Sequence, residues 1–375
     1  MSKLLVVSHS SVLGAYQQKL ALLAPLGFEA HLAAPAWWPE ASPRQPLQRA
    51  WPALHYHALP CLGKGSVGNA LYLGLGALAL KLRPSLVLAE EEPCSAMALQ
   101  SLLAARLAGA RFGFFTWENL GQPYGPLRRA LLKQVLHGSR FAVAGSAEAA
   151  ALLQAWGYAG PILTQPQYGV DVERFSPAPR PRGRKGLCLG YLGRLVPEKG
   201  VDTLAQALPL MGPGVRLKVA GFGPLEGGLR KVAGVELAGR VAYEEVPAFL
   251  RSLDALVLPS RTTPRWKEQF GRALAEAMAC GVACLGSDSG AIPEVMGKGG
   301  LVFKEGDAKG LARQARRLKD AGLRQRLGRA GRARAVKEYS NAVLAQRLAL
   351  LMRQASPMES HLHQPLNDHG GDLGF

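Results

Sequence analysis

Glu268-Gln-Phe-Gly-Arg-Ala-Leu-Ala-Glu276 continues through Ala-Met-Ala-Cys-Gly to Ser287-Asp-Ser-Gly-Ala-Ile-Pro-Glu294, and this stretch decides how the chain is read. It sets one carboxylate just before a helical pattern and a second inside it, eight positions later. Phe270 and Gly271 stand where that helix opens, so unpaired backbone N–H groups and the positive dipole end face whatever lies there. The result is an anion cradle flanked by two hydrogen-bond acceptors. At ~1.5 Å rise per residue, the carboxylates can serve separate ends of an extended ligand such as a nucleotide-diphosphate sugar. Spacing alone equally allows an amphipathic helix with two solvated glutamates.

Outward from this stretch, short apolar runs alternate with helical patterns along the whole chain. The runs are Leu4–Ser8, Ala30–Ala34, Leu86–Ala89, Phe112–Phe115 and Phe141–Ala144, then Leu187–Gly193, Arg216–Ala220, Val235–Leu237, Ala255–Pro259 and Ala283–Gly286. Helical patterns fall between them at Leu13–Leu26, Ser95–Leu107, Leu127–Leu136 and Ala147–Trp156, with a last one at Asn341–Arg353. Alternation of this kind predicts βαβ units and parallel sheets. A proline-, glycine- and arginine-rich break at 177–186 divides the pattern, so the expectation is an α/β protein of two doubly wound Rossmann-like domains facing a central cleft. The expected boundaries are 1–176, a linker at 177–186, 187–340, a terminal helix at 341–354 that can return to the first domain, and a mobile tail at 355–375.

Composition narrows the class. The 375 residues suffice for two full cores, and 48% hydrophobic against 19% charged residues excludes disorder. The net charge of +18 favours an anionic partner: nucleotide, phospholipid surface or nucleic acid. Residues 313–337 hold ten bases and one acid, which equally suits a solvated basic helix. Five cysteines make no even disulfide framework and fit a reduced, cytoplasmic setting. The amino-terminal apolar run is too short for a signal peptide and reads as a strand. The run at 67–82 is bounded by Asn69 and Lys81 below spanning length and reads as one buried helix.

A second motif, Tyr191-Leu-Gly193-Arg194-Leu-Val-Pro-Glu198-Lys199-Gly200, ends the first strand of the second half. Gly193 allows a tight turn, and Arg194 and Lys199 can reach a pyrophosphate as a fork and a point charge. A basic loop with an exposed Arg–Glu pair is the alternative.

Together these residues resemble the retaining nucleotide-sugar glycosyltransferases of family 4, which have the GT-B fold. The likeness rests on Gly193-Arg194 with Glu198-Lys199-Gly200, and on Glu268 and Glu276 separated by seven residues. Ala220-Gly-Phe-Gly-Pro224, Leu237-Ala-Gly-Arg240, Leu258-Pro-Ser260, Gly145-Ser146 and Gly169-Val-Asp171 fall in the same order. It covers residues 110–340 well and the first hundred poorly. The resemblance implies that Arg194 and Lys199 bind the donor diphosphate, Glu276 the ribose and Glu268 the donor sugar. Gly193 and the backbone at Phe270 and Gly271 would then contact phosphate or sugar, with Arg240 and Val241 against the base. It also implies retention of configuration, with neither metal nor resident cofactor.

The chain departs from that pattern at Phe222, where an acid is common, and at Tyr168, where Asn is. After the first strand it has Ser10-Ser11-Val-Leu-Gly14 in place of a Gly-Gly pair, leaving Gly14 as the candidate for close approach to the diphosphate. Phe115-Thr-Trp117-Glu118-Asn119 stands where many members have a histidine. Trp117, Glu118, Asn119 and Glu91 are accordingly the acceptor-side candidates, against readings as core tryptophan or solvated acids. No Asp-x-Asp motif occurs, and the His55/His57 and His361/His363 pairs suit a strand and a tail better than a metal. The bases Arg128, Arg129, Lys133, His137 and Arg140, interleaved with leucines, allow peripheral membrane contact or a helix packed on the sheet with a basic outer face.

The expected function is transfer of a sugar from a nucleotide sugar to a carbohydrate, lipid or small-molecule acceptor. The alternatives are another enzyme of this fold, a 2-epimerase or phosphorylase, and, from a different class, a basic nucleic-acid-binding protein.

Overall fold

The computed structural model describes residues 1–39, 45–178 and 186–355. Most of the expected linker and the tail with His361 and His363 lie outside the described residues.

Seven strands make the first sheet: β1 (Ser2–Val7), β2 (Phe28–Pro35), β3 (His55–Leu59), β4 (Leu86–Ala89), β5 (Arg111–Thr116), β6 (Phe141–Ala144) and β7 (Ile162–Thr164). Their spatial order is β7-β6-β5-β4-β1-β2-β3, all parallel. Six more make the second: β8 (Leu187–Leu192), β9 (Val215–Ala220), β10 (Val235–Gly239), β11 (Ala255–Leu258), β12 (Ala283–Ser287) and β13 (Gly300–Phe303). Their order is β10-β9-β8-β11-β12-β13, again all parallel. Parallel sheets are covered on both faces, so their strands read as unbroken apolar runs rather than alternations. Leu4, Leu5, Val6 and Val7 show the effect, each fully buried on successive and opposite faces.

The chain winds one way from β1 and the other way from β4, so the carboxyl ends of these adjacent strands form a crevice. Ser8-His9-Ser10 leaves one end and Glu90-Glu91-Glu92 the other. In the second sheet the same reversal falls between β8 and β11, where Gly193-Arg194 and Pro259-Ser260 emerge. Topology therefore points both sets of loops to strand ends, which is where such folds hold ligands.

The helices used below are α1 (Leu75–Leu82), α2 (Ala96–Leu107), α3 (Pro126–Gly138), α4 (Ala147–Ala155), α5 (Val201–Ala207), α6 (Arg272–Ala279), α7 (Ala308–Arg317), α8 (Ala321–Arg334) and α9 (Asn341–Gln354). Ser95 and Ser146 cap α2 and α4 by accepting from Ala98 N and Ala149 N. After α8 the chain crosses back: Leu348, Ala349 and Met352 of α9 join Leu4, Val6, Leu32 and Phe141 in the core under the first sheet. Asn341 fixes the crossing, accepting from Gly169 N at 3.1 Å and donating to Gln18 Oε1 at 2.6 Å.

Two helix expectations fail. Leu13–Leu26 is not one helix but two short 3-10 turns, Gly14–Tyr16 and Ala24–Leu26, around a four-residue helix, Gln18–Ala21. Pro25 forbids a continuous ladder, and Gln17 spends its amide on the carbonyls of Ser11 and Gln48. Residues 67–82 likewise split at Gly74, which is left-handed (φ 84°). Leu71–Tyr72 pairs with Cys61–Leu62 as a short hairpin, and only Leu75–Leu82 is helical. The strands β7 and β13 have no counterpart among the expected runs, being short or only partly buried, whereas β3 falls where the His55/His57 spacing suits a strand.

Candidate active site

Glu268 lies at the centre of the second half's strand ends. Its carboxylate is 5% exposed and accepts from Lys199 Nζ at 2.7 Å and Ser260 Oγ at 2.7 Å. Lys199 arrives on the loop after β8. The Oη of Tyr191 holds that loop by donating to Arg194 O at 2.7 Å, and Arg261 grips Asp202 through two contacts of 2.9 and 3.0 Å. The ammonium of Lys199 also lies 4.6 Å from the centre of the Trp266 ring. Charge and aromatic face together hold a cation at the mouth of a cleft.

Gly271 turns the chain from Glu268 into α6. Its φ of 75° is in the left-handed region, and a Cβ there would sit 2.8 Å from Leu258 Cδ2. Glycine is thus required both by conformation and by space. It exposes the first N–H groups of α6 beside Glu268. Gly290 supports the same turn from behind: a Cβ there would fall 2.1 Å from Glu268 O, and Ala291 N donates to that oxygen at 3.0 Å.

A cavity of about 240 Å³ opens here, lined by Trp117, Tyr168, Lys199, Glu268, Gln269, Phe270, Gly271 and Arg272. It is contiguous through Trp117, Tyr168 and Gln269 with one of about 270 Å³, whose walls include His9, Tyr16 and the Glu90–Glu92 loop. Residues of both halves meet at this seam. Gln269 Nε2 donates to Trp117 O at 3.1 Å, and Lys267 pairs with Glu148 at 2.8 Å.

The fold therefore brings Glu268, Lys199, Phe270, Gly271, Trp117 and Glu91 to one cleft. Glu276 lies one turn into α6, 5% exposed, its Oε1 accepting from Arg272 Nε at 2.7 Å. Burial pushes its carboxyl up, and the Arg272 charge partly offsets this. Arg272, not Glu276, reaches the cavity wall, 4.7 Å from the Tyr16 ring centre and 5.2 Å from that of Tyr243. Arg194 is about half exposed at the flank, 3.5 Å from Glu198. Gly193 takes the extended turn that lets Gly221 pass against its carbonyl. Arg240 stacks 3.7 Å over Phe222, and Val241 packs at the edge of the core. Gly14 turns away from both cavities: its N–H donates to Gln48 Oε1 at 2.7 Å and its carbonyl accepts from Trp51 Nε1. Glu118 is occupied by its own loop, accepting from Leu120 N and Tyr124 Oη, while Asn119 donates to Glu148 at 3.2 Å.

On the first half's side, Glu91 accepts from His9 N at 2.8 Å and meets His9 Nδ1 at 2.6 Å. Glu90 forms a buried pair with Lys19 at 2.7 Å. Burial raises Glu92 to about 7, against hydrogen bonds from Thr116 Oγ1 and Trp117 N that pull it down. Sequence reading gave no role to His9, Tyr16, Ser260, Trp266, Gln269 or Arg272. Gln269 and Arg272 lie inside the deciding stretch and Ser260 inside the Leu258-Pro-Ser260 motif, whereas His9, Tyr16 and Trp266 carried no local signal.

Residues 186–320 match the family model described as glycosyl transferases group 1. The chain is 33% identical over 278 residues to the GDP-mannose-dependent alpha-(1-6)-phosphatidylinositol monomannoside mannosyltransferase of Mycobacterium tuberculosis, covering 66% of this chain and 71% of that one. It belongs to the group 1 glycosyl transferases. A Corynebacterium glutamicum enzyme, GDP-mannose-dependent monoacylated alpha-(1-6)-phosphatidylinositol monomannoside mannosyltransferase, is 32% identical over 207 residues. That match covers 49% of this chain and only 54% of the relative. The fold of this glycosyltransferase is that of the Anabaena protein HepE in complex with UDP (TM-score 0.74, 15% identity, 94% of this chain and 100% of that one). Sucrose-phosphate synthase from Thermosynechococcus elongatus is similar as well (TM-score 0.70, 19% identity, 94% and 99%). The architecture is GT-B, and the class of reaction is glycosyl transfer from a nucleotide sugar.

Proposed function

We propose that this glycosyltransferase moves a hexose from a nucleotide diphosphate, GDP-mannose first among the candidates, to a hydroxyl on the polar head of a lipid, with retention and without a metal. The observation that carries the reading is the Lys199–Glu268–Ser260 constellation beside the open amino end of α6. Residues 187–340 act as the donor side, and residues 1–176 with α9 as the acceptor side.

Transfer breaks the bond between the sugar's anomeric carbon and the leaving diphosphate oxygen. Negative charge grows on that oxygen, and Lys199, Arg194 and the α6 N–H groups are the donors that stabilise it. Two cationic side chains and a helix terminus supply what a divalent ion provides in metal-dependent sites. Ser260 and Lys199 hold the Glu268 carboxylate, so its free lone pairs are aimed rather than wandering, suited to hydroxyls of the donor sugar. Glu276 and Arg272 take the ribose end. The acceptor enters from the His9, Glu91 and Trp117 side, its attacking oxygen on the same face as the leaving group, and its proton passes to the departing phosphate. Catalysis then rests on alignment and leaving-group charge, without a covalent intermediate on a paired carboxylate.

A lipid acceptor is supported by α3, which turns Leu132, Val135 and Leu136 inward and Arg128, Arg129, Lys133 and His137 outward. Between α3 and residues 156–160 lies a cavity of about 1080 Å³, lined by Leu132, Leu136 and Trp156 with Arg129 and Lys133. Tyr158 Oη in its wall is buried and has no hydrogen-bond partner among the described residues. Apolar walls with a basic rim suit an anionic lipid at a membrane surface. Among the described residues no helix is long and apolar enough to cross a membrane.

The test is release of nucleotide diphosphate from GDP-mannose and from UDP- and ADP-sugars, with and without phosphatidylinositol-bearing vesicles, in the presence of EDTA. Acceptor-dependent release, and an α-linked product by NMR, is the expected result. No release from any of these donors, an inverted product, or full loss with EDTA would overturn the corresponding part of the reading.

A further inference from the structure

The first sheet ends on β3, and its edge carries a polar cluster that the cleft does not use. Glu29 and His31 stand two apart on β2, and His55 and His57 two apart on β3, so each pair shares a face of the pleat. Parallel pairing sets His31 opposite His55 and Ala33 opposite His57. The three imidazoles consequently stack, with ring centres 4.7 Å (His31–His55) and 5.3 Å (His31–His57) apart. His31 is buried, and both its nitrogens are engaged. Nε2 lies 3.0 Å from Glu29 Oε1, and Nδ1 lies 3.0 Å from His57 Nε2. His55 Nε2 lies 4.0 Å from the same Glu29 oxygen. One donor atom each from Glu29, His31 and His55 falls within 4.8 Å of the others.

We propose that Glu29, His31 and His55 form a binding site for a divalent transition-metal cation of the zinc class, with His57 holding His31 from behind. Two imidazoles and a carboxylate are a three-ligand set for zinc that leaves a fourth position to water. Bonds of about 2.0–2.2 Å in a tetrahedral set place neighbouring donors roughly 3.3–3.6 Å apart, and the observed 3.0 and 4.0 Å bracket that spacing. The hydrogen bond between His31 and Glu29 occupies the position the cation would take, so binding moves the proton of the neutral imidazole from Nε2 to Nδ1. His31 then presents Nε2 to the metal and donates Nδ1–H to His57 Nε2. A metal-bound histidine is ordinarily oriented by such a partner on its other nitrogen. Lys3, opposite Glu29 on β1, balances the carboxylate in the metal-free protein. The cluster sits near the amino end of β2 and two strands from the crevice, so its role is to pin the edge strand β3 rather than to take part in transfer.

The experiment is titration of the full chain with Zn²⁺ by calorimetry, and with Co²⁺ by visible absorption. His361, His363 and His369 are replaced by alanine in the parent protein, so that the tail cannot supply ligands. The expected result is one ion per chain, tetrahedral Co²⁺ absorption, and a Zn²⁺-dependent rise in melting temperature. Glu29→Gln and His55→Ala, both at partly exposed positions, lower affinity at least tenfold and abolish the thermal shift. His57→Phe lowers affinity by about 10–100-fold while retaining one-to-one stoichiometry. Absence of stoichiometric binding in the tail-substituted parent, or affinity unchanged by Glu29→Gln and His55→Ala, overturns the proposal.

Discussion

Replacing Lys199 by methionine separates what this residue does for the fold from what it does for the reaction. Glu268 is 5% exposed, and with Lys199 gone only Ser260 Oγ, among the described residues, still donates to its carboxylate. Breaking a buried ion pair by removing one partner costs about 3–5 kcal/mol. The Lys199 side chain is 17% exposed, so solvent reaches the pair and a loss of roughly 2–3 kcal/mol is expected. Methionine restores most of the packing against Trp266 but not the cation–π attraction, worth about 0.5–1 kcal/mol. Adding Glu268→Gln removes the stranded charge, keeps the Ser260 hydrogen bond, and should return at least half of the lost stability. Turnover should not return. Loss of one donor to developing negative charge lowers kcat by about 10²–10³, and the double variant should stay at least as slow. Urea unfolding and nucleotide-release kinetics on wild type, both single variants and the double variant give the complete cycle. A double variant no more stable than Lys199→Met would refute the account of Glu268. A Lys199→Met enzyme within tenfold of wild-type kcat would remove Lys199 from the leaving group.

Gly271→Ala forces a side chain into a left-handed turn and towards Leu258. About 1–3 kcal/mol of stability should be lost, with weaker nucleotide binding by calorimetry, and unchanged values of both would exclude a required glycine. Glu92 titrates near 7 in the folded protein, above its ordinary 4.5, so the folded state binds the extra proton. Stability should therefore fall as pH rises from about 4.5 to about 7, by roughly 2–3 kcal/mol. Glu92→Gln should flatten that slope in pH-dependent urea unfolding, and a slope identical to wild type would rule Glu92 out as its source. Leu348→Ala opens a cavity where α9 packs under the first sheet and should cost about 2–4 kcal/mol; a loss below 1 kcal/mol would mean that α9 docks weakly.

Much of the architecture was legible locally. Ten strands of the two parallel sheets announce themselves as apolar runs, the central ones because both faces are covered, while β10 at an edge alternates half-buried with exposed residues. β3 shows no such run, since as an edge strand it carries His55, Tyr56 and His57 half-exposed, and only the alternate spacing of its histidines suits a strand. The helix expected at 13–26 fails because Pro25 lacks the N–H that a continuous ladder needs, whatever the leucine spacing favours. The deciding stretch disclosed Glu268, Gly271 and Glu276, all within one turn-and-helix unit. Its own Arg272 passed without a role, because whether an arginine faces a cleft or solvent depends on Tyr16 and Tyr243, which lie far away in the chain.

The order of residues by itself determined the alternating elements, the glycine turn before α6 and the two glutamates around it. These are encoded over spans of about ten residues, where backbone sterics, hydrogen bonding and apolar periodicity act. Only the tertiary structure decided that Lys199 grips Glu268 across 69 positions, that Gln269 meets Trp117 across 152, and that His31 stacks between His55 and His57. Those meetings follow from strand order and from which strand ends coincide at a reversal of winding. The free energy that selects the order belongs to the buried sheets as a whole, so no short stretch of sequence carries it.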